Sequence, residues 1–358
     1  MDLNKYFKNK IGGKTFFITG DTGFKGNWMS HFILFFGGQV YGYSDENKFR
    51  EYFPFISKNK RYNGFENDIR DLSSLKKNLQ TSNVDYLIHM AAQPLVQESF
   101  KNPYETYTVN FVGTLNVLEL LREFTSIKSS LIITTDKVYR NDEIKDYRYK
   151  EEDVIFGKDP YSNSKSTCEL VYKTYKDCFF DEKNIKVSSV RSGNVFGGGD
   201  FSEDRILPDC FRSASNNKSI KLRNPYSTRP YQHVLDPIIA YLMLLFEQEN
   251  DPGICGAFNI GPDKGSDNVP NIDLVNIFAK KWDLDNKQFI EQFSPKDYKK
   301  EATFLSLDNS KIKDLINWKP LINLDLGIEL TVDWYKTFLE KGNIENLMDA
   351  QINKVLSL

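Results

Sequence analysis

Apolar residues fall along the chain in two textures, short continuous runs and longer periodic stripes. The run TFFIT at 15–19 is β-branched and aromatic and ends in glycines, and behind it Trp28, Met29 and the stretch 31–36 form an apolar helical pattern, so strand, tight turn and helix are predicted in that order. A second run at 39–43, preceded by Gly37 and Gly38, closes a βαβ unit of the usual ~30 residues. The order then repeats. VDYLIH (84–89), SLIIT (130–134) and KVSSVR (186–191) read as short buried strands, and helical patterns over 104–124 and 161–180 separate them. Such alternation predicts an α/β fold, a Rossmann-type doubly wound parallel sheet. After about residue 195 the texture changes to glycine and proline punctuation, followed by an apolar helix over 238–246. A later amphipathic helix over 328–339 carries Leu330, Val332, Trp334, Tyr335 and Phe338 as its core face. The predicted division is a sheet domain over 1–195 and a smaller C-terminal α/β lobe over 196–358, some of whose segments return to the first domain.

Composition narrows the picture. The 358 residues, 40% of them apolar, suffice for two domains or one large α/β unit with an appended lobe. Lys plus Arg number 47 against 49 Asp plus Glu, a net charge of −2, so nucleic acid is not an expected partner; a phosphate-bearing small molecule needs only local positive charge. The longest apolar runs, 31–36 and 241–246, fall far below the ~20 residues of a membrane-spanning helix, and the polar, basic N-terminal stretch does not read as a secretory signal. A cytoplasmic location is expected. The four cysteines, Cys168, Cys178, Cys210 and Cys255, form no CxxC pair and have no histidine at ligand spacing, so no metal site or disulfide framework is expected.

The chemistry begins at Gly20, Gly23 and Gly26, spaced GxxGxxG between the first strand and the first helix. Glycines there let the backbone turn tightly and approach a pyrophosphate seated on the helix N-terminus; the same turn also serves as plain strand–helix packing. Asp45 and Glu46 follow the second strand, about 20 residues on, where an acid binds the 2′-hydroxyl of an adenosine ribose and repels a 2′-phosphate. No arginine stands beside them, which favours NAD over NADP. Ser44 is an equal candidate for the ribose contact, the acids then being merely solvated. Asp68 and Ile69, after a predicted third strand, belong either to the adenine edge or to an ordinary loop. Tyr161 and Lys165 lie one helical turn apart. A lysine ammonium near a phenol favours phenolate, the equipment for taking a proton from an alcohol as hydride leaves the same carbon; the alternative is a solvated lysine beside a packed tyrosine. Thr134, Thr135, Asp136 and Lys137 end the SLIIT strand, at the sheet edge where ligands bind. There Asp136 is suited to protonating a leaving hydroxyl and Lys137, if burial or neighbouring cations depress its pKa, to taking a carbon-bound proton, or the four make only a capped turn. His89 reads as a core histidine. Arg191, Arg205, Arg223 and Arg229, with His233, gather in the glycine- and proline-rich part, either as forks for a substrate diphosphate between the lobes or as separate salt bridges.

The segments ITGDTGFKGNWMS (18–30), HMAAQPLVQESF (89–100), TTDKVY (134–139), DPYSNSK (159–165), RSGNVFGGGDFSEDRILPD (191–209), RNPYSTRPYQHVLDP (223–237) and SLDNSKIKDLINWKP (306–320) run through nearly the whole chain. With them it resembles the extended short-chain dehydrogenase/reductase superfamily and, within its NAD-dependent epimerase/dehydratase family, the nucleotide-sugar 4,6-dehydratases. The resemblance implies that Tyr161 is the base at the sugar 4-hydroxyl, Thr135 its hydrogen-bonding partner, Lys165 the anchor of the nicotinamide ribose and Asp136 the acid at the 6-hydroxyl. Lys137 stands where the related dTDP-glucose enzymes carry a glutamate that removes the C5 proton, which marks the CDP-glucose branch. By the same resemblance NAD would touch Gly20, Thr22, Gly23, Phe24, Lys25, Gly26, Ser44, Asp45, Asp68, Ile69, Ala91 and Ala92. The substrate CDP-glucose would touch Gln93, Asn194, Arg205, Leu207, Pro208, Arg223, Arg229 and His233. The implied reaction is redox neutral: oxidation at C4, loss of water across C5 and C6, and return of hydride to C6. A homodimer is implied through a four-helix interface made by the 104–124 and 161–180 helices. A 4-epimerase would use the same Tyr161 and Lys165 without needing Asp136 and Lys137, and a binding protein without turnover has no reason to keep Thr135, Tyr161 and Lys165 together. Tyr231 and Phe201 stand where the family has Trp, Val138 where it has Cys and Phe156 where it has Gly, departures expected to touch the substrate pocket.

Overall fold

The computed structural model describes residues 1–45, 49–222, 224–292 and 304–358. Glu46 and Arg223, both candidate site residues, therefore lie outside the described residues. Six strands, β1 (Thr15–Thr19), β2 (Gln39–Ser44), β3 (Tyr62–Glu66), β4 (Tyr86–His89), β5 (Ser129–Thr135) and β6 (Val187–Ser192), are joined by a seventh, Ala257–Ile260. The sheet order is β3-β2-β1-β4-β5-β6 and then Ala257–Ile260, and every pairing is parallel. The runs that predicted strands are thus strands to within a residue or two, because both faces of a parallel sheet are covered and demand continuous apolar sequence.

The order reverses between β1 and β4, and this switch point opens a crevice at the C-terminal ends of those strands. The helix Phe24–Phe35 starts there and covers one face together with Leu235–Asn250, whose residues from Leu235 to Phe246 are all buried. Phe17, Leu87, Val117, Leu121 and Tyr172 form the core on the other face. The helix predicted over 104–124 is broken into Pro103–Tyr107, a π turn Thr108–Val112 and Gly113–Glu123; the 161–180 helix is Pro160–Tyr175 followed by a second π turn, Lys176–Phe180. Beyond the sheet the chain forms short strand pairs, 195–196 with 232–233 and 228–229 with 269–270, and the helices Ile206–Ser215, Asn271–Trp282 and Leu324–Leu339. Trp28 ties this part to the Phe24–Phe35 helix by donating from Nε1 to the Gly198 carbonyl at 2.8 Å.

Candidate active site

The three glycines of the first turn have three different jobs. Gly20 has φ +73°, and a methyl there would lie 2.6 Å from the Ala91 nitrogen. Gly26 faces the turn itself, with a methyl 2.2 Å from the Gly20 carbonyl oxygen, so helix and strand pack only without a side chain. Gly23 is the N-cap of the Phe24–Phe35 helix, and the sole neighbour a methyl there would meet is Gly20 oxygen at 3.4 Å, which leaves the helix N-terminus open to an anion. Asn27 steadies the turn by donating to the carbonyls of Thr22 at 2.8 Å and Gly23 at 3.1 Å. Ala91 donates its N–H to Thr19 Oγ1 at 3.2 Å, which brings the 91–93 segment beside Gly20. At the far end of the crevice Ser44 is buried and Asp45 exposed at the end of β2. Asp68, past β3, is held ionised below its usual range by hydrogen bonds from Arg70, while Ile69 packs into the core.

A cavity of about 330 Å³ opens beside this crevice, and Lys25, Thr135, Asp136, Lys137 and Tyr161 all line it. β5 ends at Thr135, with Asp136 and Lys137 in the turn just after it, because a parallel strand ends where its last side chains face the crevice. Thr135 donates from Oγ1 to Asp136 Oδ1 at 3.0 Å, and its oxygen accepts from the Lys137 amide at 3.4 Å. Tyr161 is fixed by its helix start: Asp159 caps the Pro160–Tyr175 helix by accepting from the Ser162 amide at 2.9 Å, and the Tyr161 amide donates to Ser99 Oγ at 3.1 Å. One turn on, Lys165 is buried and donates from Nζ to the Ile133 carbonyl at 3.3 Å. Below the cavity floor, Glu169 takes hydrogen bonds from Thr134, from Ser189 at 2.9 Å and from Arg191 at 2.8 Å, a buried pair that locks the helix to β5 and β6. Arg191 is therefore a structural partner and lies outside the cavity wall.

Burial dominates the electrostatics here. It pushes the Tyr161 phenol up to about 12, against a hydrogen bond with Thr135 and the charge of Arg205, which pull it down. Burial likewise raises Asp136, whose Oδ2 has no hydrogen-bond partner, above the usual carboxylate range. For the cations it works the other way. Lys165 is lowered, and Lys25 is pushed down to about 7 by burial and by the charges of Arg205 and Lys165.

Of the residues expected at the substrate, Asn194, Arg205, Leu207, Pro208 and Arg229 line the cavity. Two do not. His233 is buried behind it, edge-on to Trp28 at 6.0 Å and to Phe196 at 5.9 Å, and burial holds the ring neutral with its pKa near 3. Gln93 spends its side chain on the neighbouring loop, donating to Leu95 oxygen at 3.1 Å and Thr106 Oγ1 at 2.8 Å and accepting from the Leu95 amide at 2.6 Å; it shapes the wall that Pro94, Leu95 and Val96 form. His89 is a core histidine with both ring nitrogens bonded, to Thr19 at 2.7 Å and Thr114 at 3.1 Å. Among the four departures only Tyr231 faces the cavity, its hydroxyl donating to Asn271 Oδ1 at 2.6 Å. Phe201 instead sits in an aromatic cluster with Tyr52 at 4.0 Å and Phe211 at 5.6 Å, Val138 is in the core and Phe156 is exposed. Among the described residues no cluster of metal-ligating side chains occurs, and no helix is long and apolar enough to cross a membrane.

A parallel sheet with a glycine turn at its switch point, and a buried threonine, tyrosine and lysine beside it, is the architecture of an extended short-chain dehydrogenase/reductase. The chain belongs to the GDP-mannose 4,6 dehydratase family, which it matches over residues 17–331. It is 36% identical over 358 aligned residues to the CDP-glucose 4,6-dehydratase of Salmonella typhimurium, an alignment that covers 98% of each chain. Two solved structures carry the same fold. The dTDP-glucose 4,6-dehydratase of Bacillus anthracis, in complex with NAD, superposes with a TM-score of 0.78 at 21% identity, covering 94% of this chain and 100% of that one. The UDP-glucose 4-epimerase of Thermus thermophilus, also with NAD, gives 0.75 at 21% identity over 90% of this chain and 99% of that one.

Proposed function

We propose that the chain is an NAD-dependent hydro-lyase that converts CDP-glucose to CDP-4-keto-6-deoxyglucose, working in the cytoplasm as a homodimer. The observation that carries this reading is the meeting of Tyr161, Thr135, Asp136 and Lys137 in one cavity with Asn194, Arg205 and Arg229. An epimerase needs the tyrosine but has no use for a buried, partly unbonded acid followed by a lysine. The open N-terminus at Gly23 and the side-chain-free approach at Gly20 and Gly26 fit a dinucleotide diphosphate. NAD⁺, when bound, supplies the acceptor and later the donor of the hydride.

The chain's own residues handle the protons and hold the substrate. Tyr161 takes the proton of the 4-hydroxyl. Its phenol must be drawn below about 12 for this, and the Thr135 hydrogen bond and the Arg205 charge already act in that direction. Asp136, whose hold on its proton burial strengthens, gives that proton to the departing 6-hydroxyl. Lys137 at the same wall, acting as its neutral amine, removes the C5 proton, which the 4-ketone has made acidic. Arg205 and Arg229 offer planar forks to the substrate diphosphate. For the dimer, the support is apolar surface on the two helices concerned: Leu170 is 55% exposed on Pro160–Tyr175 and Tyr104 is 81% exposed on Pro103–Tyr107.

Incubation of the purified protein with NAD⁺ and, separately, CDP-glucose, dTDP-glucose, GDP-mannose and UDP-glucose tests the reading by product mass. Loss of one water from CDP-glucose alone is expected. Water loss from another nucleotide sugar instead overturns the nucleotide assignment, and an isobaric product overturns the dehydratase in favour of an epimerase.

A further inference from the structure

The glycine turn contains an acid. Asp21 stands between Gly20 and Gly23, where a dinucleotide diphosphate would approach, and it is 1% exposed. Its carboxylate is occupied from outside the turn: Ser44 Oγ donates to Oδ1 at 2.8 Å, Tyr62 Oη donates to Oδ2 at 2.7 Å, and Arg50 Nη2 donates to Oδ2. Arg50 also donates to the Asp21 carbonyl at 3.2 Å, and its guanidinium lies 4.6 Å over the Tyr62 ring. The carboxylate rests so closely on β2 that a methyl at Gly42 would come within 2.1 Å of Oδ2. Arg50 is itself 6% exposed, and its Nε and Nη1 are buried with no hydrogen-bond partner.

The place of this cluster gives it meaning. In a Rossmann sheet the 2′ oxygen of the adenosine ribose sits at the end of β2, where an acid suits a hydroxyl and an arginine suits a phosphate. Here β2 ends at Ser44, whose hydroxyl accepts from the Thr22 amide of the turn at 3.4 Å and donates to Asp21. The sequence places no arginine beside Asp45, yet folding closes Arg50 on Asp21, the same carboxylate that Ser44 holds. We propose that Asp21 sets the preference for the unphosphorylated dinucleotide by keeping Arg50 paired, so that a 2′-phosphate arriving at Ser44 meets a neutralised guanidinium. The inference rests on the dinucleotide reading of the glycine turn. Without the carboxylate, Arg50 is a buried cation lacking a counter-charge, a state that strongly favours an incoming anion. A phosphate then supplies the fork's partner.

The test is a titration of the full chain with NADH and with NADPH, followed by nicotinamide fluorescence. The wild type is expected to bind NADH more tightly. In Asp21→Asn the ratio of NADPH to NADH dissociation constants should fall by about tenfold or more, and Arg50→Met added to it should restore the ratio. Arg50→Met alone should raise the ratio, because Asp21 then lacks its counter-cation while its carboxylate stays bonded to Ser44 at the end of β2; this variant decides the matter should Asp21→Asn not fold. An unchanged ratio in either single variant, or a gain in NADPH binding that survives loss of Arg50, overturns the proposal. A wild type that binds neither dinucleotide overturns the cofactor reading, and this inference with it.

Discussion

At the scale of single residues, the site turns on which groups burial makes acidic or basic. Asp136 is the clearest case. Desolvation raises its pKa above the usual carboxylate range, so its protonated form persists at pH values where an exposed aspartate has lost its proton. The elimination step should therefore slow as pH rises through that raised pKa. Asp136→Asn should reduce water loss by about 10²–10⁴-fold and abolish this limb of the pH–rate profile. An unaltered profile in the variant would remove Asp136 from the acid's role. These residues were legible because they are local: Thr135, Asp136 and Lys137 follow one strand, and Tyr161 and Lys165 share one helix turn. Asp21 and Arg50 were not, since their pairing depends on a fold-back that no periodicity records. His233 sits two residues after Tyr231 and close to Arg229 in sequence, yet the chain turns its ring into the core between Trp28 and Phe196. Proximity along an irregular segment says little about direction.

At the scale of elements, strands were read more accurately than helices. A buried parallel strand is a bounded apolar run, whereas apolar spacing cannot distinguish a continuous helix from one interrupted by a π turn, as happens at Thr108–Val112 and Lys176–Phe180. The glycine turn is the element on which the cofactor reading rests, and it is a tight construction. Gly26→Ala places a methyl against the Gly20 carbonyl with no flexible atom to yield. The variant should lose about 1–3 kcal/mol of stability by urea unfolding and bind NADH more weakly, because relief of the clash moves helix and turn apart. Wild-type stability and affinity in this variant would mean that the turn is looser than its geometry implies.

At the scale of the whole molecule, Thr135 at the end of β5, Asp136 and Lys137 just past it and Tyr161 on the Pro160–Tyr175 helix form one wall of the cavity, and the segments from 192 to 231 close over them with Asn194, Arg205 and Arg229. The division of labour follows from topology: ligands bind beyond the C-terminal strand ends, and the chain that continues past β6 is free to form the opposite wall. The chain's match to the dehydratase family runs through both parts. In the proposed reaction one substrate molecule is oxidised at C4 and reduced at C6 within a single turnover. Incubating the protein with NAD⁺ and CDP-glucose carrying deuterium at C4, and locating the label by NMR, tests it most directly. A dehydrated product with the deuterium at C6 is expected. Deuterium retained at C4 of an undehydrated sugar would contradict it and place the chain among the epimerases.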